Sequence, residues 1–261
     1  MLRITSWGGS PIVRVLRSKI VLALAAISGV LLGVSLVGRQ LPPPVFSLSS
    51  DEVSLATSDY LFLRRASDWL TGRKYALLTF DDGPYGRDVD ERILETLRRH
   101  HAPAIFYIVC SHVTDSTRHV LGEIEASGGI VGNHSYDHLH LRHAEYRELT
   151  WQVEGCSRLL GSVTGRRPRF FRPPFGEGSP SVSAAVLASG MRQMRWNANS
   201  QDSWLKRPDQ ILYWSLWEVE SGSILLMHDQ PETANVLDRV LTELEDRGVT
   251  FVVPSAEVPL K

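Results

Sequence analysis

The sequence predicts an α/β fold built on a mostly parallel sheet, open or closed into a barrel, over residues 73–261. Three observations predict it. Short apolar runs alternate with longer stretches of helical spacing from Tyr75 onward, and several of those runs end directly on polar residues of catalytic type. No internal repeat or low-complexity stretch interrupts the alternation. With 261 residues, 43% hydrophobic and 22% charged, the chain has globular composition and length for one large core. A net charge of -1 supplies no bulk positive field for nucleic acid, although Arg3, Arg14, Arg17 and Lys19 crowd the amino terminus.

The first element is apolar. No charge appears from Ile20 to Gly38, and Arg39 ends the run. A bilayer needs about 20 such residues, and basic residues ahead of the run place them on the cytoplasmic side. A cleaved signal peptide is the alternative, but its apolar core is usually about 7–15 residues and closes on a small-x-small site, which is not evident after Gly38. The expected organisation is a basic segment at 1–19, a transmembrane anchor at 20–38, a linker at 39–72 and a catalytic domain at 73–261, outside the cytoplasm. Pro42, Pro43 and Pro44 stiffen the spacer, and Ser47 to Ser50 mark it as polar. Asp51–Leu70 can form an amphipathic helix capped by Ser50 or Asp51.

Beyond the linker, strands are expected at Tyr75–Phe80, Ala104–Val109, Gly129–Gly132, Phe170–Arg172, Gln193–Asn197, Ser223–Met227 and Thr250–Val253. Helices are expected at Arg87–His101, Ser116–Ser127, Glu145–Gly161 and Pro180–Ser189. A last one carries Val236, Leu237, Val240, Leu241 and Leu244 on one face and is closed by Gly248. In such sheets, sites form beyond the carboxyl ends of the strands. Cys110 and Cys156 are too few for a disulfide-stapled scaffold and are expected as two buried thiols rather than one bridge.

Two motifs carry chemistry. Thr79-Phe80-Asp81-Asp82-Gly83-Pro84 puts adjacent carboxylates at a strand end, where they repel each other unless a cation neutralises one and leaves the other as a base. An Asp-rich surface turn is the plain alternative. His134-Ser135-Tyr136-Asp137-His138 offers histidines at i and i+4, which can share one face of a helical turn and reach a single ion. Four other histidines (His100, His101, His140 and His143) make solvated imidazoles the plain alternative here. Two imidazoles and one carboxylate leave positions open for water and substrate, with zinc as the default ion and cobalt, nickel, manganese or iron fitting the same ligands. Three further segments add to the set. Arg172 in Arg172-Pro173-Pro174-Phe175-Gly176 can pair with a carboxylate, and His228 stands at the mouth of the run Leu225-Leu226-Met227. Asp202, in Asp202-Ser203-Trp204, can hold such a histidine protonated.

Together these residues resemble the NodB-homology polysaccharide deacetylases, carbohydrate esterase family 4, from about Tyr75 to Val253, with all five family motifs in order. TFDDGP and HSYDH are the most specific of them. The resemblance implies a distorted (β/α) barrel with fewer units than eight, preceded here by the one transmembrane helix. It implies Asp81 as catalytic base and Asp82, His134 and His138 as metal ligands. Arg172 would orient Asp81, and His228 would be the general acid held by Asp202. Phe175 would help bind the oxyanion through its backbone N–H, and Trp204 and Leu226 would wall the acyl pocket. The fourth motif departs from the family, because Ser203 separates Asp202 from Trp204. Cys110 also stands where a small residue such as Gly is usual.

The expected function is removal of N-acetyl groups from amino sugars of an extracytoplasmic glycan such as peptidoglycan, a chitin-like oligomer or poly-N-acetylglucosamine. No obligate protein partner is implied. Deacylation or deformylation of a lipid-linked sugar, O-acetyl ester hydrolysis, and an inactive glycan-binding protein are the alternatives.

Overall fold

The computed structural model describes residues 28–29, 47–48, 53–54, 74–86 and 88–254. The chain divides into two compact units, 1–41 with 59–72, and 42–58 with 73–261. The expected anchor at 20–38 lies outside the described residues apart from Ser28 and Gly29. Among the described residues, no helix is long and apolar enough to cross a membrane. Within the expected linker, Ser47–Leu48 and Val53–Ser54 pair antiparallel. Val53 and Ser54 are therefore strand where a helix over Asp51–Leu70 was expected, and the rest of that helix lies outside the described residues.

The second unit alternates strand and helix as expected. In order come β1 (Lys74–Gly83), α1 (Val89–Arg99), β2 (Ala104–Ile108), α2 (Arg118–Ala126), β3 (Ile130–Asn133) and α3 (Tyr146–Thr150). A π-helical turn, Trp151–Gly155, joins α3 to α4 (Cys156–Thr164). Then follow β4 (Phe170–Phe171), α5 (Pro180–Ala188), β5 (Arg192–Gln193), β6 (Ala198–Asn199), α6 (Pro208–Glu218), β7 (Ser223–His228), α7 (Pro231–Asp246) and β8 (Val249–Phe251).

Every pairing in this sheet is parallel, in the order β5-β4-β3-β2-β1-β7-β6. Ala76 pairs with both Ser223 and Phe251, so β8 joins the edge of β1 opposite β7. Of the expected strand Gln193–Asn197 only Gln193 is strand, in β5, and β6 begins just beyond it at Ala198; these two short strands end the order. Residues 194–197 between them are not strand, and the carbonyls of Met194 and Arg195 serve Arg172 instead.

Alternation along each strand sorts the residues into two layers. Ala76, Leu78 and Phe80 of β1, with Leu225 and Met227 of β7, pack against Ile93, Leu94, Leu237 and Leu241 of the helices. Leu77, Ile105, Tyr107, Phe170, Met194 and Ile224 fill the inner layer. Counting in twos, Thr79 and Asp81 share the inner face with Leu77, Arg172 continues that of Phe170, and Leu226 and His228 continue that of Ile224. The site residues thus lie over the inner core, at the carboxyl ends of the strands.

One expectation is corrected here, and one element is added. Cys110, just past β2, and Cys156, opening α4, form a disulfide with Cα atoms 5.4 Å apart. Their separation of 46 residues hid the contact, which depends on α4 packing over the end of β2. Closing a loop of that size stabilises by about 4 kcal/mol in the chain-entropy account. The helix α6 was not foreseen. Ile211, Leu212, Tyr213, Trp214, Leu216 and Trp217 surround it with apolar side chains, which erases the one-sided period. Pro208 at its first turn was the readable signal.

Candidate metal and acid–base site

The two adjacent aspartates reach one place because β1 is irregular at its end. Asp81 pairs with Tyr107 and Gly83 with Ile108, so Asp82 is an extra residue in the ladder, with φ of 69°. On a regular strand their side chains would point to opposite faces; the bulge re-aims the second. Asp81 Oδ2 then lies 3.6 Å from His134 Nε2, and Asp82 Oδ1 lies 3.4 Å from the same atom and 3.2 Å from His138 Nε2.

Asp82, His134 and His138 each offer one ligand atom, all within 4.8 Å of one another. The set fits a divalent ion on two further observations. Asp82 Oδ1 is buried with no hydrogen-bond partner. His134 Nδ1–H donates to the Arg172 carbonyl at 2.7 Å, which leaves its Nε2 with a free lone pair. Burial and the neighbouring His134 hold the His138 imidazole below its usual range, although Asp82 and Asp81 oppose them. Burial alone would raise the Asp82 carboxyl, but His134, His228 and His138 hold it well below the carboxylate range. A carboxylate held anionic and a His138 imidazole shifted toward its neutral form both favour metal ligation.

The histidines meet through a loop, not the helical turn expected. Ser135 and His138 both have positive φ, at 72° and 56°. Asn133 Oδ1 accepts the Ser135 N–H, and Ser135 Oγ accepts the His138 N–H. Gln152, fully buried in the π turn, accepts the N–H groups of Tyr136 and Asp137 on one oxygen. Its amide donates to Asp137 Oδ2 and Glu148 Oε1. A π turn at such a place is typical of functional sites. Sequence reasoning missed Gln152, since an isolated glutamine in a helical stretch carries no signal.

Arg172 is fully buried and occupied at every nitrogen. Nη1 donates to Asp81 Oδ1 at 2.7 Å and Thr79 Oγ1 at 2.8 Å, Nε to Met194 O and Nη2 to Arg195 O. Its guanidinium stacks 4.3 Å from the Tyr107 ring centroid. Gly132 makes room for that ring, because a Cβ there would stand 2.7 Å from it. Tyr107 was read only as strand, and its place under Arg172 was not foreseen.

On the other side of Asp81, β7 places His228 directly opposite it in the ladder. Asp202 is fully buried, and its Oδ1 accepts the His228 Nδ1–H at 2.7 Å. Its Oδ2 accepts the His228 N–H at 2.7 Å and the Thr233 hydroxyl at 2.5 Å. Burial lowers the imidazole, but Asp202, by hydrogen bond and charge, with Asp81 and Asp82 behind it, lifts His228 to about 9.

Leu226 is buried on the inner face of β7, two residues before His228. Trp204 is 65% exposed, and its Nε1–H donates to Gln201 Oε1. Phe175 has φ of 58° and packs edge-on to His138 at 4.6 Å and face-on to His140 at 3.9 Å. A separate cavity of about 360 Å³ lies near the starts of β3 and β4, lined by residues such as Ile130 and Phe170, and holds none of these residues.

Fold and site together define a parallel α/β barrel protein with a candidate metal centre beside an acid–base pair. Residues 70–194 match the family model described as polysaccharide deacetylase. The chain belongs to the NodB-homology polysaccharide deacetylases, carbohydrate esterase family 4. It is 33% identical to peptidoglycan-N-acetylglucosamine deacetylase PgdA of Listeria monocytogenes over 69% of this chain, and spans only 38% of that protein's length. It is 29% identical to a chitooligosaccharide deacetylase of Azorhizobium caulinodans over 62% of this chain and 77% of that one. Among solved structures, a family 4 carbohydrate esterase from Streptomyces lividans in complex with acetate superposes with a TM-score of 0.65 at 25% identity, covering 71% of this chain and 95% of that one. A pseudoenzyme of the same family from Bacillus anthracis gives 0.66 at 25% identity, covering 77% of this chain and 67% of that one.

Proposed function

We propose that this chain is a metal-dependent hydrolase that removes N-acetyl groups from amino sugars of an extracytoplasmic glycan, of which peptidoglycan and chitin-like oligomers are the leading candidates. The observation that carries this reading is the placement of Asp81 between two unlike histidine groups, with His228 across the ladder and His134 with His138 beside it. Since enzyme and pseudoenzyme of the family share the fold, the site residues have to carry the argument.

A divalent ion held by Asp82, His134 and His138, zinc by default, would polarise the acyl carbonyl and acidify water to a pKa of about 7. Asp81 accepts the proton of the attacking water. Arg172 occupies its Oδ1, which orients the carboxylate and leaves Oδ2 on the side of His134. His228, kept charged by Asp202, gives its Nε2 proton to the leaving amine, which departs poorly as an anion. The Phe175 N–H is assigned to the developing oxyanion, and Leu226 and Trp204 to the acyl pocket. The relatives named for peptidoglycan and chitooligosaccharide deacetylation support the substrate class.

The same reading puts the domain outside the cytoplasm, on the anchor at 20–38. The Cys110–Cys156 disulfide supports that, because such bonds persist in oxidising compartments. The deciding experiment is acyl release from a panel of acetylated glycans by the zinc-loaded protein and Asp81→Asn. The variant is expected to lose activity by a factor of roughly 10²–10⁴ while zinc remains bound; undiminished release would remove Asp81 as the base.

A further inference from the structure

One buried acid has no part in this chemistry. Asp229 follows His228 at the end of β7 and is 1% exposed. Neither of its oxygens meets an N–H or O–H donor. The group within hydrogen-bonding reach of its side chain is another carboxyl, Asp90 in the first turn of α1, itself fully buried. The other charged groups acting on it are Glu91 and Asp82, both acids. An ionised carboxylate in that place has no compensation, and a bound proton is the simplest relief.

Asp90 is already committed as an acceptor. Its Oδ1 takes the Tyr85 N–H at 2.9 Å and its Oδ2 the Gly86 N–H at 2.5 Å. Both Asp90 oxygens already accept a backbone N–H, so the donor between the two carboxyls is placed on Asp229. Burial first, and then Asp90, push the Asp229 carboxyl well above the carboxylate range. The side chain is also wedged against the turn, since a Cβ at Gly83 would stand 2.5 Å from Asp229 Oδ2. Its own N–H donates to the Asp81 carbonyl at 2.9 Å.

We propose that Asp229 is a positioning residue: held as the neutral acid, it donates to Asp90 and clamps the Gly83–Gly86 turn that carries Asp81 and Asp82. The clamp joins the ends of β1 and β7 to the start of α1, and the metal ligand Asp82 depends on it through the backbone. The proposal rests on the reading of Asp81 and Asp82 as base and ligand.

The test uses the full chain, with zinc as the probe. At neutral pH the infrared spectrum of the wild type should contain the carbonyl band of a buried protonated carboxyl, and Asp229→Asn should lack it. Because an amide N–H donates as the acid does, Asp229→Asn should bind zinc and release acyl groups within about twofold of wild type. Asp229→Ala removes the donor and should weaken zinc binding about tenfold or more, the usual effect of losing an outer partner of a metal ligand. Asp90→Asn should also lose affinity, since its NH2 would set a donor against either the Tyr85 or the Gly86 N–H. Absence of the band, or Asp229→Asn as damaging as Asp229→Ala, would overturn the proposal. The infrared band and zinc affinity are read without substrate. A protein that shows both patterns but releases no acyl group supports the clamp while refuting the hydrolase reading.

Discussion

Two histidine–carboxylate groups face each other across Asp81, made of the same residue types and poised in opposite states. At His134 and His138 the carboxylate of Asp82 touches both Nε2 atoms without a proper hydrogen bond, and burial, with His134 beside it, pulls the His138 imidazole below its usual range. At His228 the carboxylate of Asp202 is fully buried, bonds Nδ1–H at 2.7 Å, and lifts the imidazole to about 9. The difference lies in where the second ring nitrogen is spent. His134 gives Nδ1–H to a neutral carbonyl and keeps Nε2 as a lone pair. His228 gives Nδ1–H to a charged carboxylate, so protonating Nε2 is favoured. On the proposed reading, one arrangement suits a ligand and the other an acid.

The comparison can be broken most directly on the metal side. His134→Ala should lower zinc affinity by more than about 100-fold, beyond the usual effect of outer partners, and abolish acyl release. Calorimetric zinc titration reads the first effect. His228, titrated by NMR in the same variant, should remain above its ordinary range, because Asp202 is untouched. Retained zinc would dissolve the distinction between the two groups.

The acid side is sharpened by Asp202→Asn, with a loss of roughly 10²-fold in turnover at neutral pH. The sign follows from the raised value. In the wild type His228 carries its proton until pH rises through about 9, so activity should hold below that and fall above it. Without the carboxylate the imidazole returns toward its ordinary value, and the alkaline limb of kcat/KM moves to lower pH. A limb that stays in place would assign it to another group.

Arg172→Lys should have a smaller effect, about tenfold in kcat. A lysine keeps the charge beside Asp81 but cannot also reach Thr79, Met194 and Arg195 as the guanidinium does. Zinc affinity should change less than kcat, which would place Arg172 on the base rather than on the ligands. Smallest for chemistry is the disulfide. Cys110→Ala with Cys156→Ala should lower stability by about 2–4 kcal/mol in denaturant titration. Zinc affinity should hardly move, since neither sulfur is part of the site.

Much of the site was legible before any geometry. The apolar runs ending at Asp81 and His228 are visible as runs, and a strand end is where such sheets present their chemistry. The histidine spacing was legible too, but its mechanism was not. A helical turn was the local explanation, whereas the loop is held by two local side chains, Asn133 and Ser135, and by Gln152 from 16 residues away. Gln152 and Tyr107 escaped notice because their roles are contacts across 16 residues and across the sheet. The Cys110–Cys156 bond escaped for the same reason, with the packing of α4 over β2 as the missing fact.

By itself the sequence determined the residue types, their order, and the alternation that places the inner-facing set of β1 and β7 over one core. Those are local properties, dictated by strand period and side-chain chemistry. Only the tertiary structure decided where the Asp81 and Asp82 carboxylates lie. Adjacent residues on a regular strand face opposite ways, and the bulge at Asp82, held by neighbouring strands and the turn after it, brings both carboxylates to His134. It also decided the opposite shifts of His138 and His228, because an imidazole takes its bias from the partners that packing delivers to it.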